Sequence, residues 1–206
     1  MTSKTTMTRF GLIRHAQTRW NREKRIQGQG DSPLTSDGKR QATRWGQLLK
    51  PLGWDRILAS DTGRARATAE LINTIVNISL TFDRRLREQD WGKWSGKTIV
   101  DLKTDHANEL KAQEEAGWAF CPPGGEDRLL VWKRSQKALL EAAARWPGTS
   151  ILVVTHEGVI KSLIYRLCGR KFLAGEPAII KKHQLHRLAN DENGLRVEEL
   201  NVMALE

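Results

Sequence analysis

Cysteine is nearly absent: Cys121 and Cys168 are the only two in 206 residues. They stand in no paired ligand spacing, which excludes a disulfide framework and a cysteine zinc site. No apolar run approaches the roughly eighteen residues that a bilayer span requires, and the opening stretch Met1–Arg9 is polar where a signal peptide is apolar. The expectation is a cytoplasmic chain with no membrane partner. Glycine and proline are sparse, at 17 and 6, and no repeat, low-complexity tract or linker interrupts the chain. Collagenous, mucin-like and wholly disordered classes therefore fall away. What remains is an ordinary globular composition, 39% apolar and 28% charged, whose length suits a single domain over residues 1–206.

The formal charge of +10 is unevenly placed. Residues 1–50 hold 11 Lys and Arg against 3 acids, whereas residues 101–150 hold 7 against 8. A spread excess would suit a polyanion; a local one equally suits a small anionic substrate. Nucleic-acid binding would rest on charge alone, because no zinc-finger, helix-turn-helix or aromatic RNA-binding pattern is present, and no such partner is expected.

Thr8–Ile13 has the short apolar character of a buried strand and runs directly into Arg14 and His15. A loop from Arg14 to Leu34 follows. Thr35 or Ser36 can then N-cap a helix bearing Ala42, Trp45, Leu48 and Leu49 on one face and ending near Pro51. Arg56–Ser60 and Arg64–Val76 repeat the order of strand then helix. Leu80–Phe82 is a weaker strand, and Arg84–Gly125 is irregular, with residues 99–125 read as a cap-like insertion over the site. Asp127–Trp146 is an amphipathic helix stopped by Pro147 and Gly148. Ser150–Thr155 has unbroken apolar character, as a parallel strand covered on both faces does. A helix at Gly158–Leu167 comes next, then strands at His183–Leu188 and Leu195–Leu200 around a hairpin loop at Asn190–Gly194. The pattern predicts an α/β fold: a three-layer α/β/α sandwich with a mostly parallel sheet of about six strands and an antiparallel edge at the last hairpin.

In such sheets ligands bind outside the carboxyl ends of the strands. Three predicted strand ends carry polar sets: Arg14-His15-Ala16-Gln17-Thr18, Ser60-Asp61-Thr62-Gly63-Arg64 and Thr155-His156-Glu157-Gly158. A lone His or Arg would mean little. Two guanidiniums converging with two imidazoles describe a cradle for a tetrahedral anion, since Arg makes planar, bidentate hydrogen bonds to phosphate oxygens.

With Asn21, Arg25, Gln27-Gly28, Asp31, Pro33-Leu34-Thr35, Gly38 and Gln41-Ala42 after the first set, the chain resembles the histidine phosphatases, the phosphoglycerate mutase-like superfamily. Leu86-Arg87-Glu88 with Gly92, Trp94 and Gly96, then Pro123-Gly124-Gly125-Glu126 and Val154 to Ile160, continue the resemblance over nearly the whole length. The resemblance implies that His15 is the nucleophile that accepts a phosphoryl group, with Arg14, Arg64 and His156 holding its oxygens. It implies Glu88 as the general acid and Asn21 and Gln27 as loop contacts to phosphate; Arg25, Thr155 and Glu157 are expected as further substrate-binding positions. Neighbouring cations disfavour a protonated imidazole, as a nucleophilic His15 needs. No metal or cofactor is implied, because Arg and His can neutralise the transferring group.

Two residues depart from the family pattern. Ala16 and Glu157 each stand where Gly commonly follows a site histidine. Glu157 is expected either to lie within reach of His156 and favour its protonated form or to point into solvent. The cluster Arg19, Arg22, Lys24 and Arg25 is either a solvated face or a site for a second anionic group. Trp20, Trp91 and Trp94 either pack or line the mouth of the site.

The expected activity is metal-independent hydrolysis of a small phosphomonoester through phosphohistidine. Sugar phosphates, phosphoglycerate derivatives, nucleotide-like phosphates and α-ribazole phosphate all fit the family. A cofactor-dependent phosphoglycerate mutase and a low-activity phosphate-binding regulatory module are the alternatives. Only the stretch Ile99–Gly125 is available to enclose a mutase intermediate, which favours hydrolysis. Oligomeric state is open, a homodimer included.

Overall fold

A computed structural model of the chain describes residues 7–205. The polar start at Met1–Thr6 lies outside the described residues. Among the described residues six strands form one sheet: β1 Thr8–Arg14, β2 Arg56–Ala59, β3 Ser79–Phe82, β4 Ser150–Thr155, β5 Gln184–Asp191 and β6 Gly194–Ala204. Their spatial order is β3-β2-β4-β1-β5-β6. The first four pair in parallel, and β5 runs antiparallel to both β1 and β6. The hairpin turn is tighter than the sequence suggested, because Asn190 and Asp191 still pair with Leu195 and Gly194.

The alternation of strand side chains builds the two outer layers. Phe10 and Leu12 of β1, Leu58 of β2, and Ile151 and Val153 of β4 face α6 (Arg128–Arg145) and α7 (Glu157–Leu167), where they meet Val131, Leu139, Val159 and Leu163. The intervening Ile13, Ile57, Ala59, Leu152 and Val154 face α2 (Ser36–Leu49) and α3 (Gly63–Val76), against Ala42, Trp45, Leu49 and Ile72. A strand covered on both faces has no polar side to show, which is why β4 reads as an unbroken apolar run. Thr35 caps α2 by accepting from the Gly38 N–H, as expected of that residue type.

Gly11 shows how tightly one face is filled. A β-carbon there would lie 2.2 Å from the Trp54 ring, too close for either group to stay in place. Gly11→Ala is expected to lower stability by about 1–3 kcal/mol through overpacking, read as a lower urea midpoint with an unchanged m-value. An unchanged midpoint would mean that Trp54 swings away at no cost.

The irregular stretch contains short helices: α4 Ile99–Asp105, α5 Ala107–Glu115 and a 3₁₀ turn at Gly117–Ala119. Leu102 and Leu110 of α4 and α5 pack with Trp94 and Phe120 in a small cluster of their own. The long loop after β1 also holds one helical turn, α1 Arg19–Arg22. Its capping box pairs the side chains of Thr18 and Asn21 with each other's backbone N–H, a signal that the broader run of polar residues hid. No helix among the described residues is long and apolar enough to cross a membrane.

Candidate active site

β2, β4 and β1 are adjacent and parallel, so their carboxyl ends open at one edge of the sheet. Ser60 to Thr62, His156 and His15 therefore converge although they are remote in sequence. His15 borders a cleft of about 640 Å³, also lined by Arg14, Arg64 and Glu88.

His15 is 5% exposed, and its backbone N–H donates to the Thr155 carbonyl at 2.9 Å. Its Nδ1 lies 2.8 Å from the Ala16 carbonyl oxygen, which can only accept, so Nδ1 carries the proton. Arg64 Nε, which can only donate, meets Nε2 at 3.2 Å. Nε2 thus holds the lone pair. Burial, then the Arg14 and Arg64 guanidiniums, hold the imidazole well below its ordinary range, in the neutral form that a nucleophile needs.

Arg64 is 1% exposed and reaches His15 from α3. The Gly30 and Gly28 carbonyls accept from its Nη1 and Nη2 at 2.7 and 2.8 Å, and Asp31 accepts from both its backbone N–H and its Nη1. The loop that supplies these carbonyls thereby fixes the plane of the guanidinium before any ligand arrives. Burial lowers the Arg64 pKa, with Glu88 and Asp31 opposing that shift.

His156 lies beneath the cradle, fully buried, with its ring 5.2 Å from that of His15. The Ser60 and Thr62 hydroxyls stand 2.9 and 3.2 Å from its Nε2, and its buried Nδ1 has no hydrogen-bond partner among the described residues. Burial, then Arg64, hold it well below the usual imidazole range. The protonated His156 that a nearby Glu157 would favour is therefore not what forms. Glu157 turns to Arg14 instead, accepting from Nη1 at 2.7 Å, and its other oxygen lies 2.9 Å from Lys161 Nζ.

Glu88 is seated by two backbone donors, Gln89 N–H at 2.9 Å and Gly158 N–H at 3.2 Å. A β-carbon on Gly158 would sit 2.3 Å from its Oε1, so this residue of α7 has to be glycine for the carboxylate to fit. The backbone on either side is braced. Arg87 pairs in bidentate fashion with Asp61 at 2.7 Å, and Arg134 donates to the Arg85, Arg87 and Glu88 carbonyls while paired with Glu126. Thr155, read from the sequence as substrate-binding, belongs to this brace: its hydroxyl is fully buried and donates to the Leu86 carbonyl at 2.8 Å.

Asn21 and Gln27 both line the cleft. Asn21 Oδ1 accepts from the Thr18 N–H, which leaves the amide NH₂ as the end available to a ligand. Gln27 donates to Thr18 Oγ1 at 2.9 Å, and its buried Oε1 has no hydrogen-bond partner among the described residues. Arg25 stands at the rim, paired with Glu23 and the Gly96 carbonyl. Trp91 lines the cleft, whereas Trp94 is core. Three contributors carried no local signal in the sequence. Arg134 acts through backbone carbonyls, and Arg128 and Phe172 reach the cleft wall from distant segments, the guanidinium 4.0 Å from the ring centroid.

The neutral imidazoles carry a stability cost at low pH. Unfolded histidines titrate near pH 6.5, whereas His186, also buried, is lowered to about 4 and His15 and His156 lie well below the ordinary value. Below about pH 6.5 the unfolded state binds more protons, so stability falls as pH falls, by about 1.4 kcal/mol per pH unit for each histidine. Between pH 7.5 and 5.5 the three should together cost roughly 4 kcal/mol, measured by urea denaturation at each pH. A flat profile would show that these rings are charged in the folded protein.

The fold and cleft define an α/β enzyme that handles phosphate. The family model of the histidine phosphatase superfamily, branch 1, matches residues 10–203. The probable phosphoglycerate mutase GpmB of Salmonella paratyphi B is 36% identical over 172 residues, covering 79% of this chain and 76% of its own. Among solved structures, YhfR of Bacillus stearothermophilus superposes with a TM-score of 0.87 at 30% identity, over 96% of this chain and 98% of its own. A mycobacterial glucosyl-3-phosphoglycerate phosphatase in complex with VO3 gives 0.80 at 28% identity, over 95% and 99%. The chain belongs to the histidine phosphatase superfamily.

Proposed function

We propose that the protein hydrolyses a small phosphomonoester through phosphohistidine, without a metal ion. The observation that carries this reading is the paired hydrogen bonding of His15, which leaves Nε2 unprotonated on a residue that lines the cleft with Arg14, Arg64 and Glu88. In the first step Nε2 forms a bond to phosphorus, the bond from phosphorus to the leaving oxygen breaks, and Glu88 gives that oxygen a proton. In the second, water attacks the phosphohistidine, Glu88 takes its proton, and inorganic phosphate departs with Nε2 restored. Arg14 and Arg64 offset charge on the transferring oxygens, and preorganised donors of this kind supply much of the catalysis in phosphoryl transfer. His156 supports the cradle from below, and Asn21 offers a further donor.

The similarity to a relative named as a probable phosphoglycerate mutase supports a second reading, transfer rather than hydrolysis. One experiment separates the two. Phosphate release from a panel of small phosphomonoesters is measured with and without a chelator, beside phosphoglycerate isomerisation with and without 2,3-bisphosphoglycerate priming. Chelator-insensitive release exceeding isomerisation is the expected result. Primed isomerisation with little release would establish the mutase, and loss of release in chelator would overturn the metal-free mechanism.

A further inference from the structure

Glu157 is the residue for which the chemistry above has no use. It lines the cleft, and its two oxygens take Arg14 Nη1 at 2.7 Å and Lys161 Nζ at 2.9 Å. Its side chain is 30% exposed, so these ion pairs are neither fully screened nor fully buried. Burial pushes its carboxyl up, but Arg14, then Lys161 and Lys182, outweigh this and keep it below the ordinary range, hence ionised. An ionised carboxylate beside the nucleophile's own neighbour has two opposed effects on an incoming phosphate. It steadies Arg14, and it offsets part of the positive charge that would hold a dianion.

The two effects can be weighed from the hydrogen bonds. Arg64 is already oriented without Glu157, by the Gly28 and Gly30 carbonyls and Asp31. Arg14 spends one Nη1 hydrogen bond on Glu157, leaving other guanidinium N–H groups for a ligand. The cradle thus loses little in geometry without Glu157, whereas the negative charge acts on any dianion bound there.

We propose that Glu157 is a positioning residue that tempers Arg14, weakening the hold on inorganic phosphate so that the product leaves and does not remain as an inhibitor. The inference rests on the phosphatase reading. A cleft in which Glu88 alone opposed the cations would hold product more tightly along with substrate, and uniformly tight binding does not accelerate turnover.

The test compares wild type with Glu157→Gln, which keeps an acceptor for Arg14 and removes the charge. The readouts are the inhibition constants of inorganic phosphate and orthovanadate and the separate kcat and KM values. Glu157→Gln is expected to bind both anions about three- to tenfold more tightly, with a lower kcat and a lower KM. The gain should shrink as salt rises, because it is a charge effect, and a purely structural role would not respond to salt in this way. Glu157→Gly serves as the second variant and should move in the same direction. Unchanged or weaker phosphate inhibition in the Gln variant would overturn the proposal and assign Glu157 to the support of Arg14 alone. If wild type neither hydrolyses phosphomonoesters nor binds these anions, the phosphatase reading fails first and this inference fails with it.

Discussion

The His15→Ala variant is expected to lose phosphate release by roughly 10⁴-fold or more, and with it any acid-labile, alkali-stable phosphate trapped on the protein. The size of the effect follows from the geometry. The Ala16 carbonyl fixes which nitrogen is protonated, and the Arg64 Nε–H fixes where the Nε2 lone pair sits, so no neighbouring group can substitute by a small rotation. His156 is the nearest alternative, but its Nε2 is engaged by Ser60 and Thr62 and its ring lies under the floor of the cleft. Rapid-quench trapping of the labelled protein, run beside steady-state release, is the measurement. Label that persists in the variant would move the nucleophile elsewhere and undo the mechanism.

Glu88→Gln should cost about 10² to 10⁴ in kcat/KM for alkyl phosphates, the usual value of a positioned acid. The loss should be far smaller for nitrophenyl phosphate, whose phenolate departs without a proton. Glutamine has one acceptor oxygen and can keep the hydrogen bond from Gln89 or the one from Gly158 but not both, so part of the seat survives while the proton is lost. Equal losses on the two classes of substrate would assign Glu88 to structure rather than to proton transfer.

Much of this was legible in advance because it depends on local pattern. Unalternating β4, the Thr35 cap and the polar sets after β1, β2 and β4 are written in adjacent residues, and parallel strands bring such ends together. What could not be read depends on directions that packing chooses. Thr155 and Glu157 flank His156 in sequence, yet one hydroxyl turns back to Leu86 and one carboxylate turns across to Arg14. Arg134 braces Glu88 from the middle of α6 through carbonyl groups, which no side-chain pattern records. The helical turn after Thr18 was missed for a simpler reason, since four residues are too few to show a period.

The outer edge of the sheet has a consequence for how this molecule behaves in a crowded solution. β6 is eleven residues long and ends the sheet, and a free strand of that length is a template on which another chain could extend the ladder. Several features spoil the template. Arg196, Glu198 and Glu199 place charge along it, the pairing with β5 shifts register twice, and Asn201 adopts a left-handed backbone with φ 53°. The Asn201 side chain also bonds the backbone of Ile179 and Lys181, drawing that segment beside the strand. Strand-to-strand polymerisation is therefore disfavoured at this edge of the sheet.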